Sequence, residues 1–134
     1  MIRLVIADDH AIVREGLKRI VSDAPGLQVE AEAADGNEVM KIVRERDFDV
    51  LVLDLSMPGR SGMELIKLVK AERPKLRILV LSMHEEHQYA VRAIRAGAAG
   101  YLTKEGAPQE LCRAVRKGGL AGATHAQLPR RGSG

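Results

Sequence analysis

Unbroken runs of Val, Leu and Ile at residues 3–7, 50–53 and 78–81 limit what this chain can fold into. A strand with one wet face alternates apolar and polar side chains. A run without alternation has to be covered on both faces, as inner strands of a parallel sheet are. Two further runs, 28–33 and 100–102, bring the set to five. In the former, Val29, Ala31 and Ala33 alternate with Glu30 and Glu32, which places that strand at a sheet edge. Between the runs, apolar residues recur at helical spacing: Val13, Leu17 and Ile20; Val39, Ile42 and Val43; Leu65, Leu68 and Val69; Tyr89, Ala93 and Ile94; Leu111, Ala114 and Val115. Pro25-Gly26, Asp35-Gly36, Pro74, Gly97 and Pro108 fall at the expected helix limits. Parallel neighbours need such crossovers, so five strand-then-helix repeats predict a doubly wound α/β sheet with helices on both faces.

At 134 residues the chain has the usual size of one domain. Only Phe48, Tyr89 and Tyr101 are aromatic, so the core is aliphatic and a base-stacking surface is excluded. The single cysteine, Cys112, rules out an internal disulfide and a Cys-rich zinc site; it reads as a small buried hydrophobe on a helix. No basic leader and no apolar stretch of about 20 residues is present, so a reducing, cytoplasmic location and no membrane contact are expected. The net charge is +3, but residues 113–134 carry five Lys or Arg and no Asp or Glu, which leaves the preceding residues mildly acidic. The excess of base is therefore poor evidence for nucleic-acid binding. After Lys117 the pattern fades into Gly118-Gly119-Leu120-Ala121-Gly122 and a sparse end, so residues 1–117 are expected to be the folded domain and 118–134 a linker or disordered tail.

Sites in open α/β sheets lie outside the carboxyl ends of the strands. The first predicted strand runs into Asp8-Asp9, the third into Asp54, the fourth into Ser82, and the fifth into Thr103-Lys104. Three carboxylates brought to one rim repel one another and drive at least one toward protonation unless a cation intervenes. Oxygen ligands favour Mg²⁺ over zinc. Lys104 adds a point charge suited to a phosphate, and Ser82 a hydroxyl that can donate to a phosphoryl oxygen. Together they suit phosphoryl transfer, with Asp54 as the nucleophile that forms an acyl phosphate.

The segments Val5-Ile6-Ala7-Asp8-Asp9-His10, Val52-Leu53-Asp54-Leu55-Ser56-Met57-Pro58-Gly59 and Ala96-Gly97-Ala98-Ala99-Gly100-Tyr101-Leu102-Thr103-Lys104 resemble the receiver domain of bacterial two-component response regulators, across Ile2 to about Lys117. Asp-Asp-His followed by Val13-Arg14-Glu15-Gly16-Leu17 is similar to the NarL/FixJ subfamily. The resemblance implies a flavodoxin-like or CheY-like fold with strand order 2-1-3-4-5 and five helices. It implies Asp54 as phospho-acceptor, with Asp8, Asp9, Asp54 and the backbone carbonyl of Met57 around Mg²⁺. It further implies Lys104 as the phosphoryl partner, Ser82 as the switch hydroxyl, and Tyr101 as the aromatic that moves inward and alters the face of the fourth helix, fifth strand and fifth helix. A sensor histidine kinase is the implied phosphoryl donor, a homodimer is an implied assembly, and DNA is reached only through a helix-turn-helix output domain that these residues do not include.

Glu105 stands where many receivers have proline after the lysine, which leaves a cis bond there open. A phosphohydrolase resembling the haloacid dehalogenase group would carry a second Asp where Ser56 stands, and an FMN module would offer donors where Asp8 and Asp9 stand. A receiver acting only as a phosphorylation-independent dimerisation unit is a further alternative. His84 and His87 read either as solvated residues or as groups tuning water access to the acyl phosphate, and Ser56 faces the same choice. His10 and His125 are expected not to be ligands, and Glu85-Glu86 to favour a helix N-terminus.

Overall fold

Strands and helices alternate along the whole described chain: β1 (Ile2–Ala7), α1 (Ala11–Ser22), β2 (Leu27–Ala33), α2 (Gly36–Glu45), β3 (Val50–Asp54), α3 (Gly62–Glu72), β4 (Arg77–Ser82), α4 (His87–Ala96), β5 (Gly100–Thr103) and α5 (Ala107–Gly118). The structure is a computed structural model and describes residues 1–58, 61–83 and 87–118. The five strands form one sheet in the order β2-β1-β3-β4-β5, every neighbouring pair parallel. β2 lies at an edge, as its alternating pattern requires.

Period-two geometry explains the unbroken apolar runs. Val5 and Ala7 of β1, Leu51 and Leu53 of β3, and Ile78 and Val80 of β4 face a core shared with α2, α3 and α4. The intervening Leu4 and Ile6, Val50 and Val52, and Leu79 and Leu81 face a second core shared with α1 and α5. Each fully buried Val, Leu or Ile contributes roughly 1.5–3 kcal/mol of transfer free energy, so a polar residue on either face of these strands would be costly. Cys112 is half-buried on the α1–α5 side, and burial pushes its thiol pKa up.

Local chemistry sets the helix ends. Asp35 caps α2 by accepting from the Glu38 N–H at 2.9 Å, while the Glu38 carboxylate reaches back to the Ala34 N–H. Ser61 caps α3 by accepting from the Glu64 N–H. α4 ends at Gly97, whose φ of 124° lies in the region that L side chains avoid; an added Cβ would also meet Lys70 Cγ at 2.9 Å. Pro108 sits in the first turn of α5, where its missing N–H leaves no bond unmade.

The strands run slightly past the apolar stretches that announce them. Asp54 pairs with Leu81, and Ser82 with Thr103, so both polar residues are the last members of their strands rather than loop residues. α5 continues through Gly118, one residue into the segment expected to be tail. Residues 119–134, with His125, lie outside the described residues, as do His84, Glu85 and Glu86. Among the described residues no helix is long and apolar enough to cross a membrane.

Candidate functional site

The carboxyl ends of β1, β3, β4 and β5 meet at one rim of the sheet. Asp8 follows β1 directly and is fully buried; its N–H donates to Ala33 O on β2 at 3.0 Å, which fixes where the strand stops. Asp54 ends β3 and is equally buried. Lys104 follows β5 and is anchored through its N–H to Ser82 O at 2.8 Å. From there its ammonium reaches Asp54 Oδ2 at 2.9 Å and Asp8 Oδ2 at 3.1 Å.

The two contacts differ in kind. The first is a hydrogen bond. The second has the distance of an ion pair without hydrogen-bond angles, so Asp8 Oδ2 is buried with no hydrogen-bond partner. Its charge is met by the Lys104 ammonium alongside. Asp8 Oδ1 is better served: it accepts the His10 N–H at 2.8 Å and stands 3.2 Å from His10 Nδ1. Asp9 is more exposed and turns Oδ1 toward the same ring nitrogen at 3.1 Å. Ligand atoms of Asp8, Asp9, His10 and Asp54 all lie within 4.8 Å of one another. Such a set, with three carboxylates against one lysine, fits a divalent cation.

Asp54 Oδ1 accepts two bonds from Ser56, from its N–H at 2.9 Å and from its hydroxyl at 2.8 Å. Burial works against an ionised carboxyl here more than any other influence. The two Ser56 bonds and the Lys104 ammonium together outweigh it and hold Asp54 below the ordinary aspartate value. Lys104 is the mirror case: burial pulls its pKa down, and its hydrogen bond to Asp54 and ion pair with Asp8 carry it above the ordinary lysine value. Crowding therefore does not drive Asp54 toward protonation, because Lys104 sits between Asp54 and Asp8 and shares its charge with both.

Ser82 is buried at the end of β4, beside the last residue of β5. Tyr101, on β5, is 9% exposed and belongs to the core shared by α2, α3 and α4. Met57, in the loop after β3, has a buried side chain in that same core. The peptide bond between Lys104 and Glu105 is trans, as are all described peptide bonds. The loop is also braced from below: a Cβ on Gly62, the first residue of α3, would lie 2.6 Å from Leu55 Cδ2 and 2.9 Å from Leu55 O.

Two participants escape a reading of strand ends. Arg14, on the first turn of α1, donates through Nη1 to Asp8 O at 2.6 Å and through Nε to Glu32 at 3.1 Å, tying the acidic loop to β2. Its place one turn into a helix that follows an acidic pair is the only sequence signal. His10 is the second. It is the N-terminal cap residue of α1, yet its side chain caps nothing there and lies against the two aspartates instead.

Comparison with known proteins agrees with this geometry. The family model of the response regulator receiver domain matches residues 4–116. The response regulator UvrY of Escherichia coli (strain K12) is 39% identical over 116 residues, covering 87% of this chain and 53% of that protein. The chain thus spans about half the length of the curated relatives it matches. Among solved structures, a two-component response regulator of the LuxR family from Aurantimonas sp. SI85-9A1 superposes with a TM-score of 0.81 at 41% identity, covering 85% of this chain and 81% of that one. The isolated receiver domain of RcsB from Salmonella enterica serovar Typhimurium, solved with the phosphomimetic BeF3⁻, superposes with a TM-score of 0.83 at 29% identity, covering 95% of this chain and 98% of that one.

Proposed function

The chain belongs to the response regulator receiver domain family, and from that premise we propose that it is the phospho-accepting module of a LuxR/NarL-type transcriptional regulator, with Asp54 as the acceptor. The observation that carries this reading is the state of Asp54: buried, held ionised, and gripped by Lys104 and Ser56 at the rim where the Asp8 carboxylate meets the same lysine.

An ionised carboxylate is the form that attacks phosphorus. An Asp54 oxygen forms the new O–P bond as the P–N bond to a kinase phosphohistidine breaks, and the departing imidazole takes up a proton. Asp8, Asp9, Asp54 and the Met57 carbonyl would hold Mg²⁺, which when bound neutralises charge on the transferring phosphoryl group. Lys104, already 2.9 Å from Asp54, pairs with a phosphoryl oxygen once the carboxylate is esterified. Ser82 donates its hydroxyl to another oxygen of that group.

The new charge of about −1.5 to −2 biases a two-state element. Ser82 is drawn toward the new oxygens and Tyr101 fills the space it vacates, which alters the face of α4, β5 and α5. That face passes the signal to a homodimer contact or to a DNA-binding output domain beyond the receiver, which the first 117 residues form. Chemistry on the module itself is limited to taking a phosphoryl group and losing it slowly to water, in the cytoplasm.

The test is labelling with acetyl phosphate and Mg²⁺. The wild-type chain gains one acid-labile phosphate by intact mass, and Asp54→Asn gains none. Undiminished labelling of Asp54→Asn overturns the assignment.

A further inference from the structure

The ladder between β1 and β2 slips by one residue partway along. Leu4 pairs with Val29 but Val5 pairs with Ala31, so Glu30 is an extra residue on the β2 side. Strand side chains alternate between faces, and one extra residue reverses every face beyond it. Val29 accordingly packs against the α1–α5 core, whereas Ala31 and Ala33 pack in the core of α2, α3 and α4. Glu32, opposite Ile6, is thereby turned onto the α1 side. An unbroken ladder would place Ala31 opposite Ile6 and turn Glu32 to the other face.

On the α1 side Glu32 accepts from Arg14 Nε at 3.1 Å and from Lys18 Nζ at 2.7 Å. With Nε so held, the same guanidinium donates through Nη1 to Asp8 O at 2.6 Å. That oxygen belongs to the peptide joining Asp8 to Asp9. Asp8 N–H is fixed on β2 by Ala33 O, so the residue is held at both ends. A peptide is planar, and fixing its oxygen fixes the direction in which the chain leaves toward Asp9. Arg14 meets the backbone of Asp8 and not its carboxylate, so it steadies the acidic loop without taking up a ligand oxygen.

We infer that Arg14 is a positioning residue for the cation held by Asp8, Asp9 and Asp54: anchored on Glu32, it fixes the Asp8–Asp9 peptide and so sets the affinity of the rim for Mg²⁺. This rests on the reading of the rim as a cation site. A guanidinium suits the task because its rigid planar fork meets the Glu32 carboxylate and the Asp8 carbonyl at once, which a lysine ammonium on a flexible stem does not.

The test is an Mg²⁺ titration of the ¹⁵N-labelled full chain, followed by the Asp9 amide resonance, which belongs to the same peptide as the anchored oxygen. Arg14→Ala is expected to shift that resonance before Mg²⁺ is added and to raise the Mg²⁺ concentration at half-saturation by about 10-fold or more. Arg14→Lys keeps the charge and loses the fork, and should bind Mg²⁺ as poorly as Arg14→Ala. Glu32→Gln, at a partly exposed position and expected to keep its fold, should weaken binding in the same direction by less. Glu15→Gln, which removes the exposed partner of Lys18, should leave binding unchanged. A merely structural role would lower the urea midpoint of Arg14→Ala and leave half-saturation where it is, and that result overturns the inference. Wild-type affinity in Arg14→Lys, or equal effects of Glu15→Gln and Glu32→Gln, also overturns it. Should Arg14→Ala not fold, wild-type affinity in Glu32→Gln does the same. Failure of the wild type to bind Mg²⁺, or binding that Asp54→Asn and Asp9→Asn leave unchanged, instead overturns the reading on which the inference rests.

Discussion

The two rims of the sheet are built from the same residue types and do opposite things with them. At the amino ends of the strands, Arg3 pairs with Asp49 and Arg73 with Asp47, around a cleft of about 420 Å³ that also includes Lys75, Arg77 and Glu72. Those pairs are partly exposed and each joins an acid to a base, although Arg77 Nε is buried there without a hydrogen-bond partner. At the carboxyl ends, one lysine, Lys104, is shared by Asp8 and Asp54, both carboxylates are buried, and Asp8 Oδ2 meets it as an ion pair without a hydrogen bond. Balanced exposed charge is a solvated surface; unbalanced buried charge is a site kept ready for a ligand. Burial and mismatch, not the number of charges, separate function from decoration here.

The contrast can be broken by mutation. Its largest expected effect is Lys104→Met, which strands Asp54 and Asp8 together. A loss of about 3 kcal/mol in urea unfolding is expected, partly restored when Asp8→Asn is added. A loss equal to that of any surface lysine would put the two rims on the same footing. Asp8→Asn alone should raise stability by about 1–2 kcal/mol in chelator-treated buffer, because it removes one of two neighbouring buried charges and supplies a donor beside Lys104's other partner. The same variant should lose the Mg²⁺-dependent rise in melting temperature that a bound ion gives the wild type.

A smaller effect concerns acid. Glu32 is held below its ordinary value chiefly by the Lys18 hydrogen bond, against the opposing pull of burial, with Arg14 adding to it. A lowered folded pKa means stability that is present above the ordinary value of 4.5 and is lost as pH falls through the lower folded value. Glu32→Gln should flatten that stretch of the pH–stability curve by under about 1 kcal/mol. The smallest expected change is at the opposite rim: Arg3→Ala should cost about 0–1 kcal/mol and leave acetyl phosphate labelling intact.

Strand positions and the four strand-end side chains are legible in the sequence because burial on both faces leaves an unbroken apolar run, and such a run has to stop where polar chemistry begins. What stays hidden is set by side-chain direction within loops. In the sequence His10 has no role beyond not being a ligand, and only the backbone at the end of β1 turns its ring onto Asp8 and Asp9. Arg14 is one more charged helical residue until its guanidinium spans Asp8 O and Glu32. Ser56 could have been a bystander, but its N–H and hydroxyl both converge on Asp54 Oδ1.

Asp54 and Lys104 lie 50 residues apart in the chain. A polypeptide that has left the ribosome only as far as Asp54 has made a carboxylate without the ammonium that steadies it, and the residues Ser82 and Lys104 do not yet exist. On the proposed reading, competence to take a phosphoryl group therefore arrives late in synthesis, when β5 docks.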